Sequence, residues 1–227
     1  MLVQQLAENL WAAEGRVRFV GLWLSARMVV VRLPDGSLIV HSPIAPDAEL
    51  MSSVDEQGSV RHVIAPSKYH HLWLSDWAEQ YPGARIYGVA GLPEKRPDVT
   101  FDELLGDDSP TPWKGVMDQL VFRGLPIFNE VVFFHRPSRT LIVSDLVFHL
   151  FEAQSRLAPV LLRLNGIWKR FGPSRALGMM MKRKRDAARE DIGRILQWDF
   201  ERVTMAHGRV LESGGRAAIE EAFAFLR

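Results

Sequence analysis

Short apolar runs alternate with turn signals through the first two thirds of the chain, and a long helical texture follows. Met28-Val29-Val30-Val31-Arg32-Leu33 is β-branched, Pro34-Asp35-Gly36 breaks it, and Ser37-Leu38-Ile39-Val40-His41 resumes it. An Asp-Gly pair between two such runs predicts a hairpin. Because both arms are apolar throughout, they are expected inside a covered sheet. Arg61 to Ala65 predicts a further strand. From Lys68 onward, Leu72, Leu74, Trp77 and Tyr81 predict a helix stopped by Pro82-Gly83, and Ala84 to Gly88 predicts the next strand. Strand, helix, strand is the mark of an α/β layer.

Residues 90–115 are rich in Gly, Pro and Asp and predict a loop with one helical turn. Gln119 to Phe122 and Asn129 to His135 predict strands. Arg136-Pro137-Ser138-Arg139 turns the second of these into Thr140 to Asp145, a second hairpin. Residues 151–197 are helical in period and basic, with a break at Gly172-Pro173-Ser174. Arg202 to Gly208 predicts a short strand ending at a His-Gly corner, and Ala217 to Arg227 a closing amphipathic helix. Two strand-rich stretches flanked by helices predict a four-layer α-β-β-α sandwich, with a plain three-layer sheet as the alternative. The expectation is one α/β domain over residues 1–227, with a helical insert at about 151–197.

Composition narrows the chemistry. There are 227 residues, 47% hydrophobic and 24% charged, which is ordinary for a globular chain. The absence of cysteine excludes disulfides and thiolate-held metals, so any metal here is held by His, Asp, Glu or backbone oxygen. A net charge of +1 argues against nucleic-acid binding by overall field. No apolar run is long enough to span a membrane and no leader pattern opens the chain, so the expected location is the cytoplasm.

Arg27-Met28, His41-Ser42-Pro43, Ala65-Pro66, His70-His71, Asn129-Glu130 and Trp198-Asp199 through His207-Gly208 stand in an order that resembles the metallo-β-lactamase superfamily over roughly residues 8–215. They are similar to an offshoot of it with no established reaction. The superfamily holds two adjacent metals with a His-x-His-x-Asp-His motif after a strand, a mid-chain His, a bridging Asp and a last His. Laid over it without gaps, Pro66 and Lys68 fall on the first two motif His, His70 on the motif Asp and His71 on the last motif His. Asn129 or Glu130 falls on the mid-chain His, Asp145 on the bridging Asp and His207 on the last His. The resemblance thus implies that one metal position has lost its ligands. The other keeps His70, His71, Asp145 and His207, enough for one divalent ion, zinc, iron or manganese. Lys68, paired with Glu130, would place a positive charge where the other ion is missing. Ser42 stands where the superfamily has an orienting Asp, which counts against full hydrolytic competence.

Each residue also has a plainer reading. Adjacent positions such as His70 and His71 do not converge on a regular helix, and one packed ring beside one surface ring satisfies the pattern. Asp145 needs a metal, backbone amides or an Arg to lie beside an apolar strand, and a strand-end cap would serve. His207-Gly208 fits a turn with a hydrogen-bonded ring. Glu130 reads as a general base, a partner of Lys68 or a solvated residue. The basic stretch from Trp168-Lys169-Arg170 through Lys182-Arg183-Lys184-Arg185 is either a solvated helical face or a contact for an anionic partner. Two main functions follow. The first is a single-metal hydrolase of a small ester, amide or phosphoester, with Lys68 and Glu130 assisting. The second is a binding or scaffold protein that keeps the fold without the chemistry, dimerising or docking through the helical insert. An oxidoreductase is a weaker third, because superfamily members with iron chemistry use two metals.

Overall fold

The computed structural model describes residues 1–19, 22–152 and 158–227. A first sheet runs β1 (Gln4–Ala7), β2 (Leu10–Phe19), β3 (Leu22–Arg32), β4 (Ser37–His41), β5 (Ser59–Ile64), β6 (Arg85–Gly88) and β7 (Glu103–Leu104), neighbouring in that order. The pairs as far as β3–β4 are antiparallel and those from β4–β5 onward parallel. The expected hairpin is β3–β4, with Val30 opposite Val40. All five residues of β4 are buried, as its unbroken apolar run predicts. Helices α1 (Ala48–Asp55) and α2 (Leu74–Gln80) join the parallel strands and bury Leu50, Val54, Leu74 and Trp77 against this sheet. Helix α1 starts where the Asp47 carboxylate accepts from the Leu50 amide at 2.8 Å.

A second sheet is built from β8 (Met117–Val121), β9 (Val131–His135), β10 (Thr140–Ile142) and β13 (Arg202–Thr204), in the order β13-β10-β9-β8. Strand β10 pairs antiparallel with β9 and parallel with β13. Strand β9 shows how the layers stack. Val131 and Phe133 face the core shared with the first sheet, whereas Val132 and Phe134 belong to a second core on the outer side. That is the period-2 alternation of a strand covered on both faces. The outer core is closed by α4 (Arg175–Arg183), α5 (Arg185–Ile195) and α6 (Gly215–Ala222) through Leu177, Met181, Ile192, Ile195 and Ile219. The four layers of the sandwich are thus complete. The helical stretch at 151–197 supplies the outer layer of the second sheet and is not an appendage. It holds α3 (Ala158–Leu164), α4 and α5, interrupted by β12 (Phe171–Gly172), which pairs with β11 (Phe148–His149). Residues 153–157 of that stretch lie outside the described residues. Among the described residues no helix is long and apolar enough to cross a membrane.

One element departs from the sequence reading where it matters. The helix expected from Lys68 begins at Leu74. Ser67 Oγ accepts from the amides of Tyr69 and His70 at 3.2 and 3.3 Å, and the Lys68 amide donates to Phe128 O at 2.9 Å. Residues 67–73 form bends and turns, and the Leu74 amide bonds to His71 O at 3.2 Å, so the regular helix starts only there. On a loop, two adjacent histidines can point in different directions.

Candidate metal centre

Strands β4 and β5 of the first sheet and β10 and β13 of the second all release the chain toward one end of the sandwich, at their carboxyl ends. Ligand-binding crevices of α/β sheets form at such ends. Ser42 follows β4, the 67–73 loop follows β5, Asp145 lies three residues past β10 and His207 three past β13. The strand ends bring His70, Asp145 and His207 together, with one potential ligand atom from each lying within 4.8 Å of the others. His70 Nε2 lies 3.2 Å from Asp145 Oδ2, and His207 Nε2 lies 3.3 Å from Oδ1. The two imidazole centroids are 5.3 Å apart. All three side chains are nearly closed off from solvent, with 8 to 11% of their surface exposed. A surface groove of about 710 Å³, lined by Asp107, Lys114, Arg136 and Trp198 among others, does not include them.

The far nitrogen of each ring is fixed. His70 Nδ1 is 2.8 Å from Ser42 Oγ. Ser42 takes the left-handed conformation, φ 56°, to reach it. His207 Nδ1 hydrogen-bonds to the main-chain carbonyl of Ser25 in β3, 182 residues away, and the Gly208 amide donates to Ser25 Oγ at 2.8 Å. Buried Arg27, two residues on, donates to Met205 O at 2.6 Å and pairs with Glu14. The N-terminal hairpin is thereby clamped onto the segment that carries His207. Phe148 stacks on the His207 ring at 5.7 Å.

These contacts decide the chemistry. A carbonyl can only accept, so His207 Nδ1 carries the hydrogen, and in the neutral ring Nε2 is a bare lone pair. That lone pair faces a carboxylate. Two negative ends at 3.3 Å repel unless a proton or a metal cation lies between them. Burial pulls the His207 pKa down, but Asp145 outweighs it and the net shift is upward. Burial likewise opposes ionisation of Asp145, but His70 and His207 prevail and hold its carboxyl well below the usual range. Asp145 Oδ2 is buried without a well-formed hydrogen bond, its nearest imidazole nitrogen being His70 Nε2 at 3.2 Å. An orphaned carboxylate oxygen beside two imidazoles fits a divalent cation.

The other sequence-predicted site residues lie as follows. His71 is not in the cluster. Its Nδ1 faces Arg96 Nη1 at 3.1 Å, and the same guanidinium donates to its main-chain carbonyl. Arginine offers only donors, so Nδ1 must accept and Nε2 carries the proton, leaving no lone pair for a metal. Burial first, then Lys95 and Arg96, lowers the His71 pKa to about 4, consistent with a neutral ring. Glu130 is fully buried, which removes the solvated reading. Its two oxygens accept from the amides of Ser144 and Asp145 at 2.6 and 3.0 Å. Glu130 therefore buttresses the Asp145 turn from behind. Burial and the Asp145 charge push its pKa up. Among the described residues no ion pair joins it to Lys68, whose side chain packs over Gly91. Asn129 is left-handed, φ 49°, and donates to Ala90 O at 2.9 Å. Pro66, Lys68 and Asn129 or Glu130, the positions that the resemblance lays over a second metal position, supply no imidazole.

The family model described as "Domain of unknown function (DUF4336)" matches residues 7–165. No curated protein matches the chain. The chain is similar in structure to the DIM-1 metallo-β-lactamase exposed to ceftazidime, at 14% identity and TM-score 0.66 over 99% of this chain and 97% of that one. It is similar to a metallo-β-lactamase from Pontibacter korlensis, at 13% and 0.65 with the same coverage. It also resembles the rubredoxin oxygen:oxidoreductase of the anaerobe Desulfovibrio gigas, at 12% and 0.71, covering 99% of this chain and 61% of that one. Identities this low speak to the fold alone. Since the family model spans more than half of its residues, the protein is a member of the DUF4336 family, built on the metallo-β-lactamase fold.

Proposed function

We propose that this protein is a single-metal hydrolase whose ion is held by His70, Asp145 and His207, acting on a small ester, amide or phosphoester. One observation carries the reading. In the neutral ring the Ser25 carbonyl fixes the His207 tautomer so that the Nε2 lone pair points at the ionised Asp145 carboxylate, a place for a cation. Two imidazoles and a carboxylate leave coordination positions open, the arrangement of catalytic rather than structural sites. Zinc suits the set best, and iron or manganese is compatible with it. A bound divalent ion would supply Lewis acidity, polarising a carbonyl or phosphoryl oxygen and acidifying a water to near neutral pH. The chain's own residues do the rest. Ser42 and Ser25 hold the two rings in orientation, Glu130 fixes the backbone of the Asp145 turn, and burial of the three ligands keeps bulk water from screening the site.

The full-length chain, dialysed against zinc, manganese and iron(II) in turn, is expected to retain about one ion per molecule by elemental analysis. Asp145→Asn and His207→Gln should lose it, and hydrolysis of p-nitrophenyl acetate or bis-p-nitrophenyl phosphate should track the retained ion. Folded wild-type protein that takes up none of the three metals ends the proposal. A second reading, a binding protein without the chemistry, is favoured by Ser42 and by the ligand-free first metal position. It requires that His207 be an imidazolium on Asp145, which nitrogen-detected NMR of the imidazole reports directly.

A further inference from the structure

The basic stretch is not absorbed by the metal centre. Residues 158–185 contain eight Lys and Arg and no Asp or Glu, in a chain whose net charge is only +1. Among the described residues the ion pairs all lie elsewhere, and none of these eight cations has a carboxylate partner. Charge has therefore been segregated here, and the acids that follow at Asp186, Glu190 and Asp191 do not neutralise it. Glu190 and Asp191 are taken by Arg123.

The same surface is apolar. On α3, Val160, Leu161 and Leu164 are 50, 49 and 65% exposed, while Ala158 and Leu162 are buried. On α4, Leu177 and Met181 pack inward. Arg175, Met179 and Lys182 follow one another at i, i+4 and i+7 on the outer stripe, with Met179 63% exposed. The two helices form one surface. The Arg175 amide donates to Asn165 O at 2.8 Å and its guanidinium to Leu164 O at 3.1 Å, so the end of α3 abuts the first turn of α4. Exposed aliphatic side chains on a surface whose cations lack carboxylate partners are costly to leave in water.

We propose that this face, formed by α3 and the outer stripe of α4, docks on an anionic lipid surface. Leu161, Leu164 and Met179 enter the headgroup boundary, and Arg163, Arg170 and Lys182 contact the headgroups. The combination selects the partner. A nucleic acid would engage the cations and leave the aliphatic groups in water, whereas a charged membrane surface accommodates both at once. The inference is independent of whether a metal is bound.

The test is co-sedimentation of the full-length chain with phosphatidylcholine vesicles, with and without phosphatidylglycerol, beside a single-stranded oligonucleotide at the same salt. The chain is expected to sediment with the anionic vesicles, and at least tenfold more weakly with neutral ones. Lys182→Gln and Arg170→Gln should each cost about fivefold. Leu164→Ser should weaken binding with no change in its salt dependence. All three positions are exposed, and an unchanged thermal melt confirms that each variant is folded. Equal binding to neutral and anionic vesicles overturns the proposal. So does an unaffected Leu164→Ser variant, or an oligonucleotide bound more tightly than the vesicles.

Discussion

His41 offers a sharp test of the polar interior next to the candidate metal site. It closes β4 one residue before Ser42, is 4% exposed, meets the edge of Phe133 at 5.2 Å, and has no hydrogen-bond partner on either ring nitrogen. Burial, reinforced by the nearby His70, lowers its pKa to about 3, so the ring is neutral in the fold. The unfolded chain takes up a proton at this ring below its ordinary pKa of 6.5. Stability from this site is therefore complete above that value and is lost as the pH falls toward the folded pKa. The loss is about 1.4 kcal/mol per pH unit, or about 2 kcal/mol at about pH 5. His41→Leu removes the titration and two unsatisfied buried nitrogens, each of which costs on the order of 1–3 kcal/mol, while roughly conserving volume. Urea unfolding at about pH 8 should find the variant at least as stable as wild type. At about pH 5 its advantage should widen by about 2 kcal/mol at unchanged m-value. Taking the difference between the two pH values cancels the packing change. A variant whose advantage is the same at both, or one destabilised by more than about 2 kcal/mol at the higher pH, refutes the assignment of His41 as a neutral, unpartnered ring.

Two further outcomes follow from the buttress and the clamp. Glu130→Gln turns an amide NH₂ toward one of the two backbone amides at Ser144 and Asp145, and should cost about 1–3 kcal/mol in urea unfolding and weaken zinc retention, whereas a solvated glutamate would cost nothing measurable. Gly208 has φ 102°, and a Cβ there would stand 2.2 Å from His149 O, so Gly208→Ala should destabilise the chain by more than about 2 kcal/mol and displace His207, read as lower zinc content in the fraction that still folds.

The strands legible in the sequence were β3 through β6, β8 through β10 and β13, each a short run rich in apolar residues between turn signals. Strand β2 was not, because Glu14, Arg16 and Arg18 interrupt a strand whose charged residues face solvent at its far end. Asp145 and His207 stand out in sequence because each is a polar residue directly after an apolar strand. The choice between His70 and His71 is invisible there, since it depends on Ser67 holding the loop and on Arg96 occupying one ring. Glu130 reads as solvated because its burial is set by the turn it supports, fourteen and fifteen residues away. The Ser25 carbonyl has no sequence signature at all, because any residue carries one. Arg27 marks the resemblance, but its part in the clamp comes from a main-chain acceptor near the other end of the chain.

The clamp also imposes an order of events on biosynthesis. The bonds from Ser25 to His207 and from Arg27 to Met205 span 182 and 178 residues, so the whole stretch between them must emerge from the ribosome before the last imidazole can be oriented. An ion offered to the nascent chain would find Asp145 and His70 without their third partner. On the proposed reading, an ion held by all three residues would be loaded only after this stretch is made, and the clamp between the first hairpin and the segment carrying His207 would help to keep it in place.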